Sequence, residues 1–344
     1  MDLFELTRAL VDIESITNNE AVAGEFLFRQ LSPLAAKYGG CVERMPVEAQ
    51  RFNVFASWGE PIVTLSTHMD TVPPFFPLSE DDEFFWGRGA CDAKGIIAAM
   101  ISAVEKLLAE GVSDLGLLFV VGEERNSAGA RVAAQTPRGS RYLINGEPTE
   151  NQLCLASKGA LRFELLARGQ LAHSGYPQLG RSAIDALLDV LEDVRHLALP
   201  KDSLLGKTTL NIGTISGGRA PNVVADEARA ELMFRLVGDA APVREAIHQA
   251  VAGRLEAREV LYTPVFHFSA FDGLPTSVVA FTTDVPTLYE AWGTPYLIGP
   301  GSIHVAHTAE ERIAKRELRE AVPIYTRMVK RLLASHAQAS GKSQ

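Results

Sequence analysis

Acidic and imidazole side chains recur at the ends of apolar segments along most of the chain. The set comprises His68, Asp70, Asp92, Glu123, Glu124, Glu147 and His307. Burying this much negative charge is unfavourable unless positive charge meets it. Two divalent metal ions would supply that charge, and imidazole and carboxylate ligands without thiolate suit Zn²⁺, with Co²⁺ or Mn²⁺ as alternatives. These residues therefore predict a site for two metal ions.

The first pair of these residues, His68 and Asp70, is separated by one position. In an extended segment, residues two apart face the same way. A carboxylate beside a metal-binding imidazole commonly holds the ring in one tautomer. We therefore expect His68 to bind metal and Asp70 to orient it, although a lone histidine after a strand is often only structural.

Asp92 follows a glycine-rich turn and precedes a predicted helix. An aspartate at this position commonly caps the helix N-terminus. A carboxylate can also bridge two ions by presenting one oxygen to each. Together with the other motifs, the sequence favours a bridging Asp92.

Glu123 and Glu124 are adjacent carboxylates at the end of an apolar run over 117–122. Repulsion between them would raise a pKa and destabilise the fold unless cations lie nearby, or unless a surface loop leaves both in water. We expect one to bind metal and the other to act as general acid and base, because water beside two cations loses its proton readily.

Glu147 and His307 complete the set. Taken singly, Glu147 could be an exposed turn residue, and His304 competes with His307 as the ligand. Charge balance supports the whole set: the ligands Asp92, Glu124 and Glu147 with a bridging hydroxide carry four negative charges, which two divalent ions neutralise.

The elements before residue 158 predict an α/β domain. The expected elements are helices over 2–14, 20–37 and 94–108 and strands over 62–66, 115–121 and 142–144. Strands that alternate with helices indicate a sheet with a parallel component. The candidate ligands mostly follow the carboxyl ends of strands, which is where open α/β sheets bind their ligands.

The pattern changes near residue 158. The expected elements are strand 161–167, helix 183–197, strands 208–215 and 223–236, helix 243–255 and strand 260–268. This β-α-β-β-α-β order is ferredoxin-like. We predict a ferredoxin-like α+β domain over 158–268, inserted into a catalytic α/β domain of residues 1–157 and 269–344. The chain would return through a strand near 278–281 and close with a helix over 309–333.

Composition excludes several classes of function. The 344 residues are 47% hydrophobic and 22% charged, as in ordinary globular proteins. The net charge of −9 argues against nucleic acid or an anionic membrane as the main partner. No run reaches the roughly 18 apolar residues of a membrane-spanning helix. Three sparse cysteines and an N-terminus without a basic region indicate a cytoplasmic protein.

Together these motifs resemble the M20 family of co-catalytic zinc peptidases and amidohydrolases. That family includes acetylornithine deacetylase, succinyl-diaminopimelate desuccinylase, aminoacylase and carboxypeptidase G-type enzymes. The resemblance runs in order from His68-Met69-Asp70-Thr71-Val72-Pro73 to Gly299-Pro300-Gly301-Ser302 and Ala306-His307-Thr308. It implies a zinc-exopeptidase-like catalytic domain, with a mixed sheet flanked by helices, and an inserted lid and dimerisation domain. Ile96 replaces a frequent glycine, which we expect to affect only helix packing.

The resemblance also implies how the metal site is divided. One zinc ion would be held by His68, Asp92 and Glu147, and the other by Asp92, Glu124 and His307. Asp70 would support His68, and Glu123 would be the general base.

Four further residues take substrate roles from the resemblance. His173 would reach the active site of the partner subunit in a homodimer and polarise the scissile carbonyl. Asn222 and Arg235 would bind the substrate carboxylate, and Gly301 would lie against the substrate. From the residues alone, His173 could be an ordinary polar residue and Arg235 a solvated one, although arginine is well shaped to grip a carboxylate.

The implied activity is metal-dependent hydrolysis of an amide bond by a metal-bridged hydroxide, with Glu123 as general base. We expect a small N-acyl amino acid as substrate, as for a deacylase of the acetylornithine deacetylase type. A dipeptidase or carboxypeptidase of the same family is the alternative, because segments 173–180 and 305–307 look similar to carboxypeptidase-like members. A catalytically silent metal-binding homologue is the alternative from another class.

Overall fold

The computed structural model describes residues 1–341. The α-helices are α1 (Leu3–Val11), α2 (Ala21–Tyr38), α3 (Gly95–Ala109), α4 (Ala128–Gln135), α5 (Ala183–Arg195), α6 (Ala241–Val251), α7 (Val285–Trp292) and α8 (Lys315–Gly341). The first ten β-strands are β1 (Cys41–Glu48), β2 (Arg51–Trp58), β3 (Val63–His68), β4 (Ser79–Glu80), β5 (Phe84–Trp86), β6 (Leu115–Val120), β7 (Tyr142–Asn145), β8 (Leu153–Ser157), β9 (Gly159–Arg168) and β10 (Ala172–His173). The other strands are β11 (Lys201–Asp202), β12 (Gly206–Lys207), β13 (Thr209–Gly217), β14 (Val223–Val224), β15 (Glu227–Leu236), β16 (Glu256–Thr263), β17 (Phe266–His267), β18 (Thr276–Val279), β19 (Thr294–Leu297) and β20 (Arg312–Ala314).

The chain forms two compact units. The first comprises Met1–Leu155, Phe268–Ser277 and the segment from Thr283 onward. The second comprises Ala156–His267 and Val278–Thr282. Within residues 1–341, every helix is too short or too polar to cross a membrane.

A mixed sheet with strand order β1-β2-β6-β3-β7-β19-β8 forms the centre of the first unit. Its four middle strands, β6, β3, β7 and β19, run parallel to one another. The outer strands β1, β2 and β8 pair in antiparallel fashion. Helix α2 packs on β1 and β2, and α3 packs on β3 and β6. The predicted α/β class, with a mixed sheet flanked by helices, is confirmed.

Burial explains the apolar composition of the middle of this sheet. All six residues of β3 and all six of β6 are buried, as expected of parallel strands that are covered on both faces. Helix α3 packs between α1 and α8 and buries residues around most of its circumference. Because α3 begins three residues after Asp92, this packing holds the turn that carries Asp92.

The second unit contains an antiparallel sheet of strand order β13-β15-β9-β16. Helix α5 packs on β9 and β15, and α6 packs on β16. Burial alternates along β15: Ala228, Ala230, Leu232 and Phe234 are buried on one face.

Several predicted elements have different bounds in the structure. The predicted strand over 260–268 is instead β16, which ends at Thr263, and the short β17 over Phe266–His267. Residues 223–236 form β14 and β15 rather than one strand. They are separated because the main-chain oxygens of Ala225 and Asp226 accept hydrogen bonds from Ala183 and Gly169. The closing helix begins at Lys315 rather than at residue 309, because the residues before it form β20, which pairs with β5.

Candidate metal centre

Four parallel strands bring the predicted ligands of the first unit to one edge of its sheet. His68 is the last residue of β3, Glu123 and Glu124 follow β6, and Glu147 follows β7. Strand β19 leads into the loop that carries His307. Since the carboxyl ends of parallel strands lie at the same edge, these side chains converge there.

Asp92 lies between two imidazoles of this group. Its Oδ1 lies 3.0 Å from His68 Nε2, and its Oδ2 lies 3.2 Å from His307 Nε2. His307 Nε2 also lies 2.9 Å from Glu124 Oε1. One ligand atom from each of His68, Asp92 and Glu124 lies within 4.8 Å of the others. Asp92 therefore presents one carboxylate oxygen toward each imidazole.

The turn over Ala90–Lys94 gives Asp92 this orientation. Gly89 precedes it with a φ of 82°, in the left-handed region that glycine adopts without steric cost. Asp92 itself has a non-helical φ of −129° and ψ of 84°. Lys94 is the residue that directly precedes α3, and no side chain of residues 1–341 caps that helix. The Asp92 carboxylate thus faces the imidazoles and does not cap the helix.

Asp70 links two of the motifs. Its main-chain oxygen lies 2.9 Å from His68 Nδ1, and its Oδ1 lies 3.6 Å from the same nitrogen. Its carboxylate accepts hydrogen bonds from the N–H groups of Glu123 (3.1 Å) and Glu124 (3.3 Å) and from the Thr17 hydroxyl (2.8 Å). Asp70 therefore orients His68 mainly through its main chain, and its side chain holds the Glu123–Glu124 turn.

The buried carboxylates of this site require positive charge nearby to be stable in their ionised form. Burial raises the pKa of Glu147 well above its usual value, and burial together with the charge of Glu147 does the same for Glu123. Burial also opposes ionisation of Asp92, but hydrogen bonds from His307 and His68 outweigh it and lower the Asp92 pKa. Hydrogen bonds to Asp92 and a second carboxylate raise the pKa of His307 to about 10. Bound divalent ions would also stabilise these carboxylates in their ionised form.

The donor set fits hard or borderline divalent ions rather than thiolate-bound ones. The imidazoles of His68 and His307 contact the carboxylates of Asp92 and Glu124, and the buried Glu147 carboxylate interacts electrostatically with His68 and Asp92. The adjacent Cys91 is buried, and its Sγ lies 3.8 Å from the Ser302 main-chain oxygen and 3.8 Å from Glu311 Oε1. Burial raises the pKa of the Cys91 thiol, so it stays protonated and is a poor ligand.

The glycine-rich loop after β19 places one of its two histidines on this group. His304 is exposed, whereas His307 contacts Asp92 and Glu124 as described above. Gly301 has a φ of 90°, and a Cβ at this position would lie 2.7 Å from the Cβ of Cys91. The Gly301 N–H donates to Glu317 Oε2 at 2.8 Å, which fixes the loop against α8.

The remaining predicted residues lie in the second unit. His173 is exposed, and its strand β10 pairs with β14, next to Asn222. The Ser174 N–H donates to the Asn222 main-chain oxygen at 3.0 Å, so these two segments adjoin. Arg235 is partly buried, burial lowers its pKa, and it forms no ion pair with a carboxylate of residues 1–341.

Four residues near the centre were not found from the sequence. They are Thr17, Arg88, Asp284 and Glu311. Thr17 binds Asp70, and Arg88 and Glu311 form an ion pair beside Asp92. Asp284 is 1% exposed, and burial raises its pKa to about 6. Of these four, only Arg88 has a sequence context that points to the site, because it stands between two glycines just before the Asp92 turn.

The chain matches a family model along most of its length. The model for peptidase family M20/M25/M40 covers residues 64–331. A peptidase M20 domain-containing protein of Schizosaccharomyces pombe is 40% identical over 340 residues, which are 95% of this chain and 84% of the relative. A probable carboxypeptidase of Aspergillus flavus is 38% identical and covers 95% of this chain and 86% of its own length.

Solved structures share the fold. Aminopeptidase PepT from Bacillus cereus superposes with a TM-score of 0.77 at 20% identity, over 96% of this chain and 98% of the other. A dinuclear metal binding peptidase of the M20 family from Bacillus subtilis gives a TM-score of 0.66 at 16% identity, over 94% and 95% of the two chains.

Proposed function

The chain belongs to peptidase family M20/M25/M40 and is a hydrolase of amide bonds, and from this premise we propose that it is a two-metal carboxypeptidase. Its substrate would be a short peptide with a free terminal carboxylate. One observation carries the two-metal part of the proposal: each oxygen of the buried Asp92 carboxylate faces a different imidazole.

The first unit would supply the metal ligands. His68, Asp92 and Glu147 would hold one ion, and Asp92, Glu124 and His307 the other, with zinc favoured and cobalt or manganese as alternatives. When bound, the two ions would polarise the scissile carbonyl and lower the pKa of the attacking water. The Bacillus subtilis neighbour named above, a dinuclear metal binding peptidase, supports the number of ions.

Glu123 would move the proton. It lies beside the ligand Glu124, and its main-chain N–H is held by Asp70 Oδ1 at 3.1 Å. Its carboxylate would accept the proton of the attacking water and then pass it to the leaving nitrogen. Asp70 fixes the turn and, through its main chain, the His68 ring, so one residue would align a ligand and the general base.

His173 would donate a hydrogen bond to the developing oxyanion. Its Nδ1 accepts a hydrogen bond from the Gly175 N–H at 3.0 Å. In a neutral imidazole the other nitrogen then carries the hydrogen. The exposed Nε2–H is therefore available as a donor, which is what oxyanion stabilisation requires.

Arg235 and Asn222 would bind the free carboxylate of the substrate. Gly301 would lie against the substrate. Arg235 has no carboxylate partner in the described part of the chain, and partial burial makes an unpaired guanidinium unfavourable. A substrate carboxylate would relieve this cost through a bidentate ion pair.

The second unit would serve as a ferredoxin-like lid and dimerisation domain. Its edge strand β13 is largely exposed, and Ile215 on that strand is 57% exposed. An exposed edge of this length can pair with a second copy. We expect a homodimer, in which His173 would act on the substrate bound by the partner subunit. The chain has only three cysteines, Cys41, Cys91 and Cys154, and this sparse, odd number supports a reducing, cytoplasmic environment.

Carboxypeptidase activity is favoured over the deacylation of N-acyl amino acids expected from the sequence, because relatives such as the Aspergillus flavus protein are named probable carboxypeptidases. A deacylase of N-acyl amino acids remains the second candidate. The unpaired Arg235 would serve both candidates, since an N-acyl amino acid also carries a carboxylate beside the scissile amide.

The test is amine release by protein loaded with Zn²⁺ or Co²⁺ on four substrates: a dipeptide, its N-acetyl form, its C-terminal amide and an N-acetyl amino acid. Cleavage of both dipeptides with a free carboxylate, but not of the amide, is expected of a carboxypeptidase. Cleavage of the N-acetyl amino acid alone would establish the deacylase. Two bound metals without turnover of any substrate would indicate a silent homologue.

A further inference from the structure

A buried ion pair adjoins the predicted bridging ligand. Arg88 Nη1 lies 2.6 Å from Glu311 Oε2, and the two side chains are 2% and 1% exposed. The residues are 223 positions apart in the chain, so the fold itself brings them together.

The second oxygen of Glu311 contacts the Asp92 turn. Glu311 Oε1 accepts a hydrogen bond from the Asp92 main-chain N–H at 3.3 Å and lies 3.8 Å from Cys91 Sγ. Asp92 has non-helical dihedral angles, so this N–H does not join a helical hydrogen-bond ladder. Glu311 therefore provides the acceptor that the turn lacks.

Arg88 extends the network to the segment after Asp70. Its Nε donates to the Pro74 main-chain oxygen at 3.1 Å. The Gly87 N–H also donates to the Glu311 main-chain oxygen at 3.1 Å. The pair thus ties together the segment after His68 and Asp70, the turn of Asp92, and the chain just after the His307 loop.

We infer that Arg88 and Glu311 are positioning residues that set the place of Asp92 between two metal ions, an inference that rests on the proposed two-metal function. Stability alone explains the pair poorly, because a buried ion pair can often be replaced by apolar residues without loss of stability. A bridging carboxylate must satisfy two ions at once, so small shifts of its main chain change both sites. Partners of metal ligands typically change metal affinity or activity by ~10–100-fold when they are removed.

The test compares the double variant Arg88→Met/Glu311→Leu with the wild type in full-length protein. The double change removes both charges and keeps apolar volume, so the protein is expected to fold. Co²⁺ titration by calorimetry and by visible absorption reports the affinity and the coordination of each ion without reference to turnover. We expect binding of at least one ion to weaken by ~10–100-fold, with an altered absorption spectrum. Glu311→Gln, which keeps an oxygen acceptor for the Asp92 N–H, should retain more affinity than Glu311→Ala.

Leu108→Ala is the matched control for lost stability. Leu108 is buried on α3, thirteen residues and roughly 20 Å along the helix from its first residue, Gly95. It should lower the melting temperature and leave both Co²⁺ affinities unchanged. A double variant with wild-type affinities and spectrum would overturn the positioning role. A wild-type protein that binds two Co²⁺ ions but hydrolyses no substrate would overturn only the proposed activity, and one that binds fewer than two would overturn the two-metal function itself.

Discussion

In the first unit most candidate ligands are buried and contact one another, whereas in the second unit the predicted substrate-binding residues make few contacts. His307 is the most exposed of the ligands, with its side chain 49% exposed. His68 is 1% exposed and Asp92 5% exposed, and each has a partner within 3.2 Å. His173 is exposed, and Arg235 has no carboxylate partner among residues 1–341. Groups that are satisfied within the protein are organised before substrate arrives, while unsatisfied groups await a ligand. We therefore expect changes in the first unit to affect metal binding as well as catalytic rate, and changes in the second to affect the binding or conversion of substrate without affecting metal.

The largest effect is expected from Asp92→Ala. Removing the shared carboxylate would deprive both ions of a ligand, so the protein should lose bound metal. Activity should fall by more than the ~10²–10⁴-fold expected for loss of a general base. Bound metal is measured by atomic emission and activity by kcat/KM. Asp82→Ala, at an exposed aspartate of the same unit, is the control. Two ions retained by Asp92→Ala would break the contrast between the units.

Glu123→Gln should separate metal binding from proton transfer within the first unit. The change removes the proposed base and keeps the side-chain volume, so kcat should fall by ~10²–10⁴-fold while both ions stay bound. The exposed Glu83 provides a matched control as Glu83→Gln. Unchanged turnover would remove Glu123 from the mechanism.

His173→Ala tests whether a residue of the second unit contributes to rate. Loss of an oxyanion donor typically lowers kcat by ~10²–10³-fold, and metal content should not change. His196→Ala, at an exposed histidine of the same unit, should have no effect. If His173→Ala raised only KM, the oxyanion role would be replaced by a binding role.

Arg235→Met should give the smallest of these effects and the most selective one. Hydrogen bonds to charged groups contribute about 1.5–3 kcal/mol, so KM for a substrate with a free carboxylate should rise by ~10–100-fold. The C-terminal amide of the same peptide should show no such change. Arg229 is exposed on the same strand, β15, so Arg229→Met serves as the control. An equal rise of KM in both variants would show that Arg235 does not bind the substrate carboxylate.

The sequence predicts the strand-end residues because parallel strands align their carboxyl ends. His68, Glu124 and Glu147 follow buried apolar runs, and those runs became β3, β6 and β7. Strand β7 has only four residues, against six in β3 and in β6, yet the apolar residues Leu143 and Ile144 made it recognisable.

Contacts between distant segments could not be predicted in the same way. The Glu311 carboxylate reaches Asp92 across more than two hundred residues, and the acidic pair 310–311 looks like a surface turn in the sequence. The Asp70 carboxylate binds main-chain N–H groups, which carry no side-chain signal. The break between β14 and β15 likewise depends on main-chain hydrogen bonds of Ala225 and Asp226 to other segments.

The most direct measurement is anomalous diffraction from crystals of the protein loaded with Zn²⁺, recorded at the zinc absorption edge. Two peaks are predicted, with the Asp92 carboxylate between them, His68 and Glu147 at one peak, and Glu124 and His307 at the other. A single peak, or two peaks without Asp92 as a shared ligand, would contradict the two-metal centre.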